Sequence, residues 1–140
     1  MTRLALPLTV LLFVSLAAPS VGAADVAESR RQIVGTWRGT SSCLHPAAAC
    51  GDEEVLYEIS SIDPDAVLLR ADKIAAGQRS HMYDATFHYD PLRDRWTSEL
   101  RSARTNAVWS YTVAGDVLRG ALQDTKTREQ MRRVDARRQH

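Results

Sequence analysis

The side chains that most often carry chemistry are sparse in this sequence, and their spacing decides what each can do. The histidines are His45, His81, His88 and His140. A nucleophilic triad needs one of them beside a serine or cysteine, with a third group to orient the ring. Ser41, Ser42, Ser60, Ser61, Ser80, Ser98 and Ser110 are present, but no histidine stands in a motif that brings it to one of them. His81 and His88 fall on one predicted strand at an odd spacing, so they are expected on opposite faces, where they share no metal.

The carboxylate pairs Glu53 with Glu54 and Asp63 with Asp65 lie in or beside predicted loops, where solvated charge is the ordinary outcome. A glycine-rich phosphate loop is absent, and Asn106-Ala107-Val108 lacks the hydroxyl residue that N-glycosylation requires. The chain is therefore read as no enzyme, with no catalytic residue, metal or cofactor assigned.

Cys43 and Cys50 are the two cysteines. Their separation excludes the Cys-x-x-Cys redox arrangement, and without nearby histidine pairs they make a poor zinc site. In an oxidising compartment they predict a structural disulfide, stabilising by about 2 to 3 kcal/mol for so short a loop.

The compartment is indicated at the N-terminus. Arg3, an apolar run over residues 4–18 broken only by Pro7, Thr9 and Ser15, and the small residues Val21-Gly22-Ala23 have the form of a secretory signal peptide over residues 1–23. The run is shorter than the roughly 20 residues of a membrane-spanning helix, and no second run follows. No cysteine at the cleavage point offers a lipid attachment site, so the expectation is a free periplasmic or secreted protein without a membrane span.

Subtracting 23 leader residues from 140 leaves 117, enough for one domain with a modest core. Losing Arg3 takes Lys plus Arg from 18 to 17 against 17 acidic residues, and a net charge near zero argues against a nucleic-acid partner. Charge is uneven, with Asp52, Glu53, Glu54, Glu58, Asp63 and Asp65 acidic and Lys126, Arg128, Arg132, Arg133, Arg137 and Arg138 basic. Two solvated faces are the expected outcome.

The elements that would hold these residues are short runs of β-favouring residues between turn signals, with no sustained helical stripe. Strands are predicted over 33–43, 54–62, 66–74, 80–90, 95–101, 107–113, 117–123 and 129–137. Turn chemistry lies between them, as at Asp63-Pro64-Asp65, Ala76-Gly77-Gln78 and Ala114-Gly115-Asp116. Successive hairpins build a meander, and closing it removes exposed edges, so the fold class is all-β, an antiparallel up-and-down β-barrel over residues 33–137. Residues 24–32 are a linker or a short helix, in which Asp25 and Glu28 have capping-box spacing. Strand parity points Tyr83, Ala85, Phe87, Tyr89, Trp96, Leu100, Trp109, Tyr111, Val113, Leu118 and Leu122 inward, with Gly120 relieving crowding among them.

Gly35-Thr36-Trp37-Arg38-Gly39 places a Gly-x-Trp on the first of eight predicted strands, after a helical turn. In this the chain resembles the lipocalin and calycin superfamily, especially small exported bacterial proteins with lipocalin-like barrels. The resemblance implies that Trp37 closes one barrel end and that an arginine of the last strand packs across it, with Arg132 and Arg133 the candidates. Such a contact is worth about 0.5 to 2 kcal/mol.

A barrel of this size either fills with its own side chains or holds one small ligand. Tyr57, Tyr83, Phe87, Tyr89, Trp96, Trp109 and Tyr111 are the candidate lining residues. Two functions remain open. One is a carrier of a small hydrophobic ligand; the other is a protein-binding module, such as an inhibitor of a secreted hydrolase, that uses the disulfide-stapled loop over 44–49. A monomer is expected in either case.

Overall fold

A computed structural model describes residues 23–45 and 50–140. The expected leader, apart from its last residue, and positions 46–49 of the stapled loop lie outside the described residues. One helix, α1 (Ala23–Ile33), precedes β1 (Gly35–Cys43), β2 (Glu53–Asp63), β3 (Ala66–Ala75), β4 (Gln78–Asp90), β5 (Arg95–Arg101), β6 (Asn106–Ala114), β7 (Val117–Asp124) and β8 (Gln130–Arg138). Each strand pairs antiparallel with the next and β8 returns to β1, giving the expected closed up-and-down barrel.

The helix is longer than its sequence signals. It begins at Ala23, which places Asp25 inside the first turn, where its charge suits the helix dipole, instead of at a cap. Glu28 correspondingly makes no capping box; its carboxylate accepts from Arg31 Nη2 at 2.6 Å and from Gln32 Nε2 at 3.0 Å. Ile33, expected as the first strand residue, is the last helical one. Its side chain is buried in the barrel core, and its carbonyl accepts the Trp37 indole N–H at 2.8 Å. The Trp96 indole N–H likewise donates to Ser29 Oγ at 2.9 Å, so two core tryptophans fasten the helix over one barrel end.

The core follows strand alternation. Trp37, Val55, Tyr57, Leu69, Phe87, Trp96, Tyr111, Leu118 and Val134 are buried on the inner face. Tyr111 sits at its centre, edge-on to Tyr57 and Phe87 with ring centroids 5.9 and 5.2 Å away. Gly120 is required opposite it, because a Cβ there would run into the Tyr111 ring. Gly39 plays the same part between β1 and β8, where a Cβ would meet the Asp135 carbonyl and Ala136 Cα.

The arginine over Trp37 is Arg138, not the expected Arg132 or Arg133. Antiparallel register sets Trp37 opposite Arg138, whereas Arg133 and Arg132 fall opposite Ser42 and Cys43, about 16–20 Å along the strand. The Arg138 guanidinium lies 4.2 Å from the Trp37 ring centroid and donates to the carbonyls of Val34, at 3.0 Å, and Gln32. Carbonyls at the end of a helix lack intrahelical partners, and Arg138 supplies them. Arg133 instead faces outward and pairs with Asp135 at 3.2 Å.

Two of the barrel's irregularities bear on the candidate site and its surroundings. A register shift between Ala71 and Asp72 lets β4 carry an extra residue, which resets its alternation. His81 therefore comes to the outer face with His88 instead of opposite it, and its ring nitrogens lie 3.1 Å from Asp72 Oδ1 and 3.6 Å from Asp84 Oδ1. The second irregularity is the β4–β5 seam, paired only at His88 with Thr97, Tyr89 with Trp96 and Asp90 with Arg95. Beyond Thr97 the two strands part.

Candidate functional site

The parting of β4 from β5 opens a lateral cleft of about 520 Å³ into the barrel. Its apolar surface comes from Ala85 of β4, Leu100 of β5, Trp109 of β6 and Leu122 of β7, with Tyr83 and Arg132 deeper and Asp84, Thr86, Ser98 and Glu99 around it. Leu100 has inward parity, as its pairing with buried Ala107 shows, yet 41 % of it is exposed. It points inward as expected and is exposed because no β4 residue pairs with β5 at that level to cover it.

The expected lining residues divide into three groups. Tyr83 and Trp109 line the cleft. Tyr57, Phe87, Trp96 and Tyr111 are fully buried packing residues, so the half of the barrel nearer the helix is filled by its own aromatic side chains. Tyr89 stands at the helix end, its hydroxyl donating to Asp94 Oδ1 at 2.6 Å, beside a separate polar cavity of about 300 Å³ that also touches Asp25, Glu28 and Gln32. The barrel is thus both packed and hollow, in different halves.

The hollow half has charged groups inside it. Glu53 of β2, Lys73 of β3 and Arg132 of β8 share the inner face with Val55 and Val134, by strand parity. Arg132 donates through Nε to Ser41 Oγ at 2.9 Å and through Nη2 to the carbonyls of Ser41 and Gly51 at 2.9 and 3.0 Å. Its contact with Glu53 is looser, at 3.4 Å, and Lys73 lies 3.8 Å from the other oxygen of that carboxylate. Arg132 therefore ties β1, β8 and the end of the disulfide loop together.

Phenols complete the wall. Burial pushes the Tyr57 hydroxyl up to about 12, and burial together with the neighbouring phenol raises Tyr83 as well. Tyr111 is raised by burial and by both neighbours, and its hydroxyl finds no hydrogen-bond partner among the described residues. These groups are hydrogen-bond donors at neutral pH, next to an arginine, beneath an apolar cleft.

The disulfide joins Cys43 to Cys50 with Cα atoms 5.9 Å apart, and the Cys43 amide donates to Asp52 Oδ1 at 2.9 Å. The acidic segment is engaged with the rest of the barrel: Glu54 pairs with Arg38, Glu58 with Arg79, and Glu53 as described. Sequence reasoning overlooked Ser41, Glu53, Lys73 and Arg132 as one cluster, although the parity of Glu53 with Val55, and of Arg132 with Val134, could have revealed the inner placement of two of them. Among the described residues no helix is long and apolar enough to cross a membrane. The sequence matches no protein-family model and no curated protein.

Proposed function

We propose that this chain is an exported, monomeric, non-enzymatic carrier of the lipocalin-like kind, which takes a small hydrophobic molecule side-on between β4 and β5. The observation that carries this reading is the cleft, whose volume of about 520 Å³ falls in the ~300–1,000 Å³ range of small-molecule sites. Its exposed Leu100 and its Trp109, Leu122 and Ala85 offer apolar contact, and burying such side chains against a guest yields about 25 cal/mol per Å² before the costs of association. Leader-like residues and a disulfide support export.

Native mass spectrometry of the protein purified from its own host, together with titration of the neutral probe N-phenylnaphthylamine, tests the reading. Bound mass, and probe fluorescence that Leu100→Lys suppresses, are the expected results. An empty protein that also leaves the probe dark would overturn it.

A second reading, a protein-binding module, is favoured by one feature. Beyond His88 and Thr97 the facing edges of β4 and β5 carry backbone groups without a strand partner, and such edges accept an added strand. In that case Ser98→Pro, which adds a ring at this edge, abolishes capture of the partner and leaves probe binding intact.

A further inference from the structure

Among the described residues Arg132 is the one cation lining the cleft; Asp84 and Glu99, each more than half exposed, stand around it beside His81 and Arg101. Next to the cleft Lys73 shares the inner face with Arg132, and the Glu53 carboxylate lies between the two, held loosely at 3.4 and 3.8 Å. A guanidinium carries five N–H donors in a planar fork. Arg132 commits Nε and Nη2 to Ser41, Gly51 and Glu53, while Nη1 has no hydrogen-bond partner among the described residues. The side chain lines the cleft and is only 16 % exposed, so water compensates its charge incompletely.

We propose that the cleft selects an amphipathic organic anion, whose acid head is held by Arg132 while its apolar tail lies along Leu100, Trp109 and Leu122. This inference rests on the carrier reading and names its ligand class. The head takes the free Nη1 edge of the guanidinium through a charge-assisted hydrogen bond, shorter and stronger than one between neutral groups. The Tyr83 phenol, which also lines the cleft, is a second donor for the head. Glu53, 3.4 Å from Nη2, shows that this guanidinium already takes a carboxylate, and the acid head takes the nitrogen that Glu53 leaves free. A neutral apolar guest would leave Arg132 desolvated without a full counter-charge, which costs affinity.

The test is calorimetric titration of the full chain with three ligands of one tail length, dodecanoate, dodecyl phosphate and dodecanol, each below its micelle concentration. The expected result is that at least one anion binds about tenfold or more tighter than the alcohol, as a charge-assisted hydrogen bond implies; which anion prefers the site identifies the head. Arg132→Gln should then cost that anion about tenfold more than it costs dodecanol. Because Arg132→Gln also removes bonds that hold the fold, Glu53→Gln provides the second variant, and it should tighten the anion by raising the net positive charge. Dodecanol binding as tightly as both anions, a preference that survives Arg132→Gln in a folded protein, or Glu53→Gln weakening the anion would each overturn the acid anchor while leaving the carrier reading in place. Failure of all three ligands to bind would remove the carrier reading and this inference with it.

Discussion

The guanidinium of Arg138 stacks 4.2 Å from the centre of the Trp37 ring while donating to the carbonyls of Val34 and Gln32. One side chain near the end of β8 thus covers the tryptophan of β1 and caps the last turn of α1. The contact joins three elements that are far apart in the sequence. Arg138→Ala should lower stability by about 2–3 kcal/mol, the sum of a partly desolvated cation–π contact and two carbonyl hydrogen bonds. Arg138→Lys should recover only part of this, because an ammonium cannot stack and fork at once. Urea denaturation of the three proteins, followed by tryptophan fluorescence, measures both differences.

Gly120→Ala should destabilise by about 1–3 kcal/mol, the usual cost of overpacking, because the added methyl meets the Tyr111 ring. The same substitution combined with Tyr111→Leu should cost less than the two single changes added together. A double-mutant cycle in denaturant reads that coupling, and strict additivity would show that the two positions do not share space.

All four tyrosines of the chain, Tyr57, Tyr83, Tyr89 and Tyr111, are shifted upward. For Tyr89 the main cause is its hydrogen bond to the Asp94 carboxylate, which together with burial takes it to about 12; for the others burial dominates. The folded state therefore holds phenolic protons that the unfolded chain gives up near pH 10, so stability is full below that value and falls as pH rises toward 12. Ultraviolet titration should show little phenolate between pH 10 and 12 in the native protein, followed by release together with unfolding. Phenolate appearing near pH 10 with native circular dichroism would contradict this.

At the acid end the relevant group is Asp72, buried on the outer face under Arg79, His81 and Arg70. Burial pushes its carboxyl upward, but the hydrogen bonds and charges of those partners outweigh burial and hold it below the usual range. A depressed carboxylate contributes stability above its unfolded value, near pH 3.9, and loses that contribution as pH falls through the folded value. Melting temperature should fall as pH drops below about 4, and less steeply in Asp72→Asn. At pH 7 the same variant should be about 1 kcal/mol less stable, since its partners are themselves half exposed.

Strand number, order and closure were legible because hairpin turns such as Asp63-Pro64-Asp65 and the parity of Trp109 with Tyr111 are local signals. Ile33 was misassigned because its burial comes from Trp37 and the barrel core, which no helical or strand pattern in a short window can show. The faces of His81 and His88 were misjudged because one inserted residue at a bulge changes parity without any composition signal. The arginine over Trp37 depends on the β1–β8 register, a pairing between distant segments, so the sequence offered Arg132 and Arg133 where register selects Arg138. Aromatic residues were a poor guide to the site for a similar reason. Tyr57, Phe87 and Trp96 fill the barrel, whereas the cleft exists because β4 and β5 part beyond His88 and Thr97, and the cation that lines it is Arg132.

The seam between β1 and β8 is joined at seven register positions and that between β4 and β5 at three. The ring is therefore two four-stranded leaves, β1–β4 and β5–β8, sharing a strong spine at the chain's two extremes and meeting at a weak fore-edge in the middle of the sequence. Thermal fluctuation that loosens the weaker margin widens the mouth while the spine stays bound, so the cargo exchange we propose does not require the barrel to come apart. Amide hydrogen exchange along 79–87 should outpace that along 37–43, a difference in local breathing set by how far each seam is paired.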